Sequence, residues 1–173
     1  EGGAAAPLRL ALAADSGKGL AERCALALKH RAAGIWEKTP PAFKPKSIHP
    51  GRGGQTRPKV AFLFPGQGSQ YVDMMKDLRD KYKVVADTFA EADAIMTRLI
   101  GEPLSAILFT KGGETEAQLA DMAERIKRTE ITQPAVLTAD VAILRLLRQF
   151  GVEPDMVAGH SLGEYGALGA ADV

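Results

Sequence analysis

Apolar positions recur with two periods along this chain, and the change of period divides it into elements. "LRLALAA" (8–14) has the length and composition of a short strand. Behind it Leu20, Cys24 and Leu28 recur every four residues, which predicts a helix capped by Asp15 or Ser16, with Cys24 a small core residue on its apolar face. Periodicity then lapses. Residues 38–59 hold five of the ten prolines, three glycines, six basic residues and no acidic one. Proline removes backbone donors and fixes φ, so this stretch reads as an extended linker lying over a neighbouring surface. The expected organisation is a strand–helix unit over 1–37, the linker over 38–59 and a second unit over 60–173.

The second unit opens on "VAFLF" (60–64), a continuous apolar run with the composition of a buried strand. Tyr71, Met74, Met75, Leu78, Tyr82, Val85, Phe89 and Ala92 then follow helical spacing, with a break expected near Asp80. Shorter helices are expected over 103–108 and 114–127. A longer one is expected from Thr132 as N-cap, with Pro134 in its first turn and Gly151 as its stop. "DMVAG" (155–159) predicts a second strand and "LGEYGALGAA" (162–171) a second buried helix. Strands separated by helices predict an α/β fold with a parallel sheet.

Composition narrows the function classes. The 173 residues are 46% hydrophobic and 25% charged, as in a globular protein with a sizeable core. A formal net charge of +1 provides no general attraction to nucleic acid or to an acidic membrane. Cys24 is the only cysteine, so an internal disulfide and a cysteine-rich metal site are excluded. No apolar run is long enough to span a bilayer, and a cytoplasmic location is expected. The ends, "EGGAAAPLRL" without an initiator Met and "GAADV", read as those of a piece of a longer protein.

The chemistry concentrates at "DMVAGHSLGEYGALGAA" (155–171), where Ser161 stands between Gly159 and Gly163. Gly-x-Ser-x-Gly at a strand-to-helix junction is the pattern of a nucleophile elbow, in which a tight turn lifts the serine above the strand ends. Glycines on both sides let strand and helix backbones approach. The helix N-terminus favours negative charge, and the N–H of Leu162 is placed to donate to an oxyanion. "FPGQGSQ" (64–70) ends the other strand in a rigid loop at the same sheet edge, and its amides can supply a second donor. A phosphate loop is disfavoured, since neither Gly-Lys-Ser/Thr nor GxGxxG occurs here.

"FLFPGQGSQY", "TQPAV" and "GHSLGEYGAL", in this order, resemble the acyltransferase domains of polyketide, fatty acid and polyunsaturated fatty acid synthases, and stand-alone malonyl-CoA:acyl carrier protein transacylases. The resemblance runs from about Val60 to Val173 and covers the first part of such a domain. It implies an α/β-hydrolase-like core with Ser161 as nucleophile and the amides of Gln67 and Leu162 as oxyanion hole. Gly66, Gly68, Gly159, Gly163 and His160 support the two loops. His160 adjoins the nucleophile and is not read as the base. The resemblance also implies ping-pong transfer of an acyl group, malonyl by the apolar Leu162, from CoA to the phosphopantetheine of an acyl carrier protein, with no bound cofactor and no metal. Members use a distal histidine as base and an arginine for the malonyl carboxylate, both expected beyond Val173, so the chain alone is expected to be inactive. Residues 1–59 resemble the linker between a ketosynthase and an acyltransferase, which makes the ketosynthase, the rest of the acyltransferase and the carrier protein the implied partners. Two readings stand beside this one: an α/β-hydrolase-type esterase or thioesterase, and a non-catalytic docking fragment.

Overall fold

The computed structural model describes residues 8–52 and 58–172, which form two units divided between Pro58 and Lys59. In the N-terminal unit, β1 (Leu8–Leu12) pairs antiparallel with β2 (Ile48–Arg52), Leu12 opposite Ile48. Between them lies α1 (Gly17–His30), whose N-cap Ser16 accepts a hydrogen bond from the Gly19 N–H at 3.1 Å.

Two sequence expectations are corrected in this unit. Over residues 38–52 the proline-rich stretch is not an extended linker, and residues 53–57 of that expectation lie outside the described residues. It turns, forms a 3₁₀ helix at Lys44–Lys46 and returns as β2, placing Phe43 and Ile48 in a core with Ala27 and Ile35. Burying each of those two side chains is worth roughly 1.5–3 kcal/mol, which outweighs the poor strand propensity of the segment. The apolar stripe of α1 is also rotated from the one expected. Leu28 is 66% exposed and Cys24 half-buried, while Ala27 and Leu26 face the core. Arg23 lies on that inner side, its Nε donating to the Lys46 carbonyl at 2.8 Å. A long basic side chain that covers the returning loop thus takes a place that hydropathy assigns to solvent.

In the second unit, β3 (Ala61–Phe64) pairs parallel with β4 (Met156–Gly159), Phe64 opposite Gly159. Six helices accompany them: α2 (Lys76–Lys81), α3 (Lys83–Ile100), α4 (Leu104–Leu108), α5 (Glu116–Arg125), α6 (Thr129–Gln149) and α7 (Gly163–Ala170). The predicted long helix after residue 71 breaks at Tyr82, whose backbone is extended, near Asp80 as expected. Its first residues form a loop in which Asp73 and Met75 are left-handed, at φ 63° and 71°. α6 starts one turn earlier than predicted. Thr132 is not its cap; it lies inside the helix with its hydroxyl donating to the Ile126 carbonyl. Pro134 consequently falls in the second turn.

The main core joins α3, α4 and α6 through Val85, Phe89, Leu104, Ile107 and Ala135. A smaller cluster of Phe64, Leu144, Ala167 and Ala170 holds the two strands against α6 and α7. Alternation along the strands buries Phe64 and half-buries Phe62 and Val157, and leaves Ala61, Leu63, Met156 and Ala158 exposed on the opposite face. Among the described residues no helix is long and apolar enough to cross a membrane.

Candidate active site

β4 ends at Gly159 and α7 begins at Gly163, so Ser161 occupies the turn between a strand and a helix. Its φ is 54°, in the left-handed region. A non-glycine residue there costs on the order of 1–3 kcal/mol, and such positions persist where the surroundings over-determine them. The surroundings are explicit. His160 N–H donates to the Phe64 carbonyl at 3.1 Å, tying the turn to β3, and Gly163 N–H closes onto the His160 carbonyl at 3.0 Å. Sterics complete the constraint. A Cβ on Gly159 would stand 2.2 Å from the Gly163 carbonyl oxygen. The turn is tight because neither Gly159 nor Gly163 carries a side chain, and the Ser161 side chain is left exposed at its tip.

The loop after β3 meets this turn. A Cβ on Gly66 would lie 2.8 Å from the His160 carbonyl oxygen and 3.5 Å from the Ser161 Cβ. Gly68 is left-handed at φ 104°, its N–H donates to Gln70 Oε1 at 2.8 Å, and Ser69 Oγ donates to the Gly66 carbonyl at 3.1 Å. These bonds turn the segment on itself. Among the described residues the N–H groups of Gln67 and Leu162 make no hydrogen bond within the chain, so both remain available to an incoming oxygen. Ser161, Leu162, His160, Gly159, Gly163, Gly66, Gln67 and Gly68, singled out in the sequence, therefore lie on two adjoining loops at one end of the strand pair.

Three contributors escape motif reading. Gln133, on the first turns of α6, donates from Nε2 to Gln67 Oε1 at 3.4 Å. Its place in "TQPAV" signals it. Asp73 accepts from the Thr110 N–H and hydroxyl at 2.7 and 2.6 Å, and Lys76 Nζ donates to the Thr110 carbonyl at 2.6 Å. Desolvation raises the Asp73 carboxyl, but the bonds from Thr110 with the charge of Lys76 outweigh it and hold the group below its ordinary value. This staple anchors the chain that leaves the Gln67 loop. Asp140, on α6 beneath α7, is only 7% exposed, its Oδ2 has no hydrogen-bond partner, and burial pushes its carboxyl up to about 6. Its signal is an acid inside the apolar run "TADVAILRLL". His30 and His49 belong to the N-terminal unit.

Known proteins resemble this chain in sequence and in fold. The chain is 47% identical over 116 residues to the malonyl CoA-acyl carrier protein transacylase of Escherichia coli O157:H7, covering 66% of this chain and 33% of that protein. It is 41% identical over 115 residues to the polyketide synthase GfsA of Streptomyces halstedii, 66% of this chain and 2% of that one. The chain thus spans about a third of the transacylase and a small fraction of the synthase. Among solved structures, the acyltransferase domain from the second module of the salinomycin polyketide synthase superposes with a TM-score of 0.68 at 36% identity, over 96% of this chain and 34% of that one. The acyl carrier protein S-malonyltransferase of Vibrio cholerae superposes with a TM-score of 0.54 at 44% identity, over 67% and 34%. The fold is the mixed α/β fold of these acyltransferases. With residues 61–173 matching the acyl transferase domain family, this chain belongs to that family.

Proposed function

We propose that residues 61–173 carry the nucleophile-bearing part of an acyltransferase that moves a malonyl group from CoA to an acyl carrier protein within a fatty acid or polyketide synthase. The observation that carries the reading is Ser161 at φ 54° on a strand–turn–helix elbow, with the Gly66–Gly68 loop against it. In the first half-reaction Ser161 Oγ attacks the thioester carbonyl. Its proton goes to a base, the tetrahedral oxyanion is held by the N–H groups of Gln67 and Leu162, and the CoA thiol leaves. In the second, the phosphopantetheine thiol attacks the seryl ester and regenerates the hydroxyl. The base is a histidine, and the malonyl carboxylate is met by an arginine, both supplied from outside residues 61–173. The His160 ring adjoins Gly66, with Nδ1 3.1 Å from where a Cβ would stand, so it packs the loop and does not serve as base.

The elbow is of the α/β-hydrolase kind. Transfer is preferred to hydrolysis because the relatives are transacylases and synthases, and one solved relative is a malonyl-transacylase in complex with its acyl carrier protein. The N-terminal unit serves as the linker to a preceding ketosynthase. Its support is the likeness to the salinomycin domain, whose 96% coverage extends beyond the matched family segment.

The test is a chimera in which residues 61–173 replace the matched third of the E. coli transacylase. Incubation with malonyl-CoA is expected to leave a malonyl adduct on the peptide containing Ser161, discharged by holo acyl carrier protein and absent in Ser161→Ala. An adduct that survives that substitution places the nucleophile elsewhere.

A further inference from the structure

The two peptide planes that flank Gln67 are held by different side chains. The plane before it carries the Gly66 carbonyl and the Gln67 N–H on opposite edges, so fixing the carbonyl aims the N–H. Ser69 Oγ donates to that carbonyl at 3.1 Å. The plane after it carries the Gly68 N–H, which donates to Gln70 Oε1 at 2.8 Å. The two restraints are not equivalent. Gly66 is wedged against the elbow, its Cβ position 2.8 Å from the His160 carbonyl oxygen, so packing as well as Ser69 fixes the first plane. Gly68 has nothing within 4 Å of its Cβ position and a φ of 104°, a region in which glycine meets no steric barrier. Among the described residues its N–H makes no hydrogen bond but the one to Gln70. Gln133 reaches only the Gln67 side chain, at 3.4 Å, and restrains neither plane.

Both ends of this loop are pinned, by the fixed φ of Pro65 after β3 and by the bonds of Asp73 to Thr110. Rotation at Gly68 must therefore be taken up inside the loop, first by ψ of Gln67 and then by the plane that carries the Gln67 N–H. An oxyanion donor is effective when it is aimed before charge develops, so a plane free to turn lowers its worth. We propose that Gln70 is a positioning residue for acyl transfer: its side-chain oxygen takes the Gly68 N–H and so holds the loop in the conformation that presents the Gln67 N–H to the oxyanion. Gln70 touches no substrate. The same bond occupies the Gly68 N–H, so that an incoming oxygen meets the Gln67 amide and not its neighbour. This inference rests on the functional reading above, and its first test involves no acyl transfer, so either can fail without the other.

Amide exchange on the 1–173 chain reads the restraint. Gln70→Met keeps the length of the side chain and removes its acceptor. It is expected to speed exchange at Gly68 by about tenfold while Ala139, inside α6, stays slow. Gln70→Glu keeps an acceptor and should leave Gly68 slow. The chimera described above reads the consequence. Because the oxyanion develops only in the transition state, Gln70→Met should lower the maximal rate of malonyl loading about tenfold. The half-saturating concentration of malonyl-CoA should not change. That loss is smaller than the roughly hundredfold or more that follows removal of a donor, since the Gln67 N–H is loosened and not deleted. Exchange at Gly68 that Gln70→Met does not change, or acceleration that spreads equally to Ala139, overturns the proposal. Loading at the unsubstituted rate, or a loss confined to the half-saturating concentration, overturns it as well. An unsubstituted chimera that takes up no malonyl group counts against the functional reading, and exchange at Gly68 then still decides whether Gln70 holds the loop.

Discussion

A Cβ on Gly163 would stand 2.2 Å from the carbonyl oxygen of Phe64, so the start of α7 rests on the backbone of β3 with no room for a side chain. The atom met is backbone and cannot swing aside. Gly163→Ala is therefore expected to cost about 3 kcal/mol or more, at the upper end for overpacking. Gly169 lies on the same helix with nothing within 4 Å of its Cβ position. Gly169→Ala is expected to be neutral or to stabilise by up to about 1 kcal/mol through helix propensity. Urea unfolding of the two variants reads the contrast, and equal costs would contradict this packing.

The strain at Ser161 has its own signature. At φ 54° a branched Cβ is disfavoured and a missing one is not. Ser161→Val is expected to lose about 2 kcal/mol, whereas Ser161→Gly should leave stability unchanged within about 1 kcal/mol. Both variants lack the nucleophile, so seryl loading in the chimera falls to zero for each. Thermal unfolding that ranks Val above Gly would rule out the left-handed turn.

Asp140 links stability to pH in the direction opposite to that of a salt-bridged acid. Its folded value of about 6 lies above the ordinary 3.8, so the folded chain binds the proton more tightly than the unfolded one. The stabilisation is complete below about pH 3.8 and is lost as pH rises through 6. At about 1.4 kcal/mol per pH unit, the loss is on the order of 3 kcal/mol. Wild-type stability minus that of Asp140→Asn, measured by urea unfolding from pH 4 to 7.5, should fall across this window. A flat difference would show that the carboxyl is solvated.

The staple between Asp73 and Thr110 predicts the contrary slope. Here the folded value is depressed, so its contribution is present above the ordinary carboxylate range and disappears as pH drops through the folded value. Asp73→Ala is expected to cost about 1–3 kcal/mol at pH 7, because it removes two acceptors and leaves the Thr110 donors unmet. Amide exchange at Thr110 should accelerate in that variant and remain slow in Asp73→Asn, which keeps one acceptor.

Local chemistry decided much of this chain. "VAFLF" and "DMVAG" are strands because short apolar runs end at Pro65 and at Gly159, and the elbow was legible because the close approach of strand and helix demands glycine at fixed spacing around Ser161. The Gln67 loop was legible for a related reason, since Pro-Gly-Gln-Gly restricts its own backbone. Tertiary structure decided what depends on neighbours distant in the chain. The proline-rich segment becomes β2 because β1, some 40 residues earlier, offers an edge and Ala27 and Ile35 offer a core for Phe43. Which side of α1 turns inward was decided by the returning loop and Arg23, since Leu20, Cys24 and Leu28 are as apolar as the residues that were buried. Gln133 reaches Gln67 across 66 positions, and Asp140 is stranded beneath Gly166 only because α7 packs there. Periodicity records the preference of one segment for apolar surroundings. The partner that supplies those surroundings is chosen by packing between segments, which local sequence does not encode.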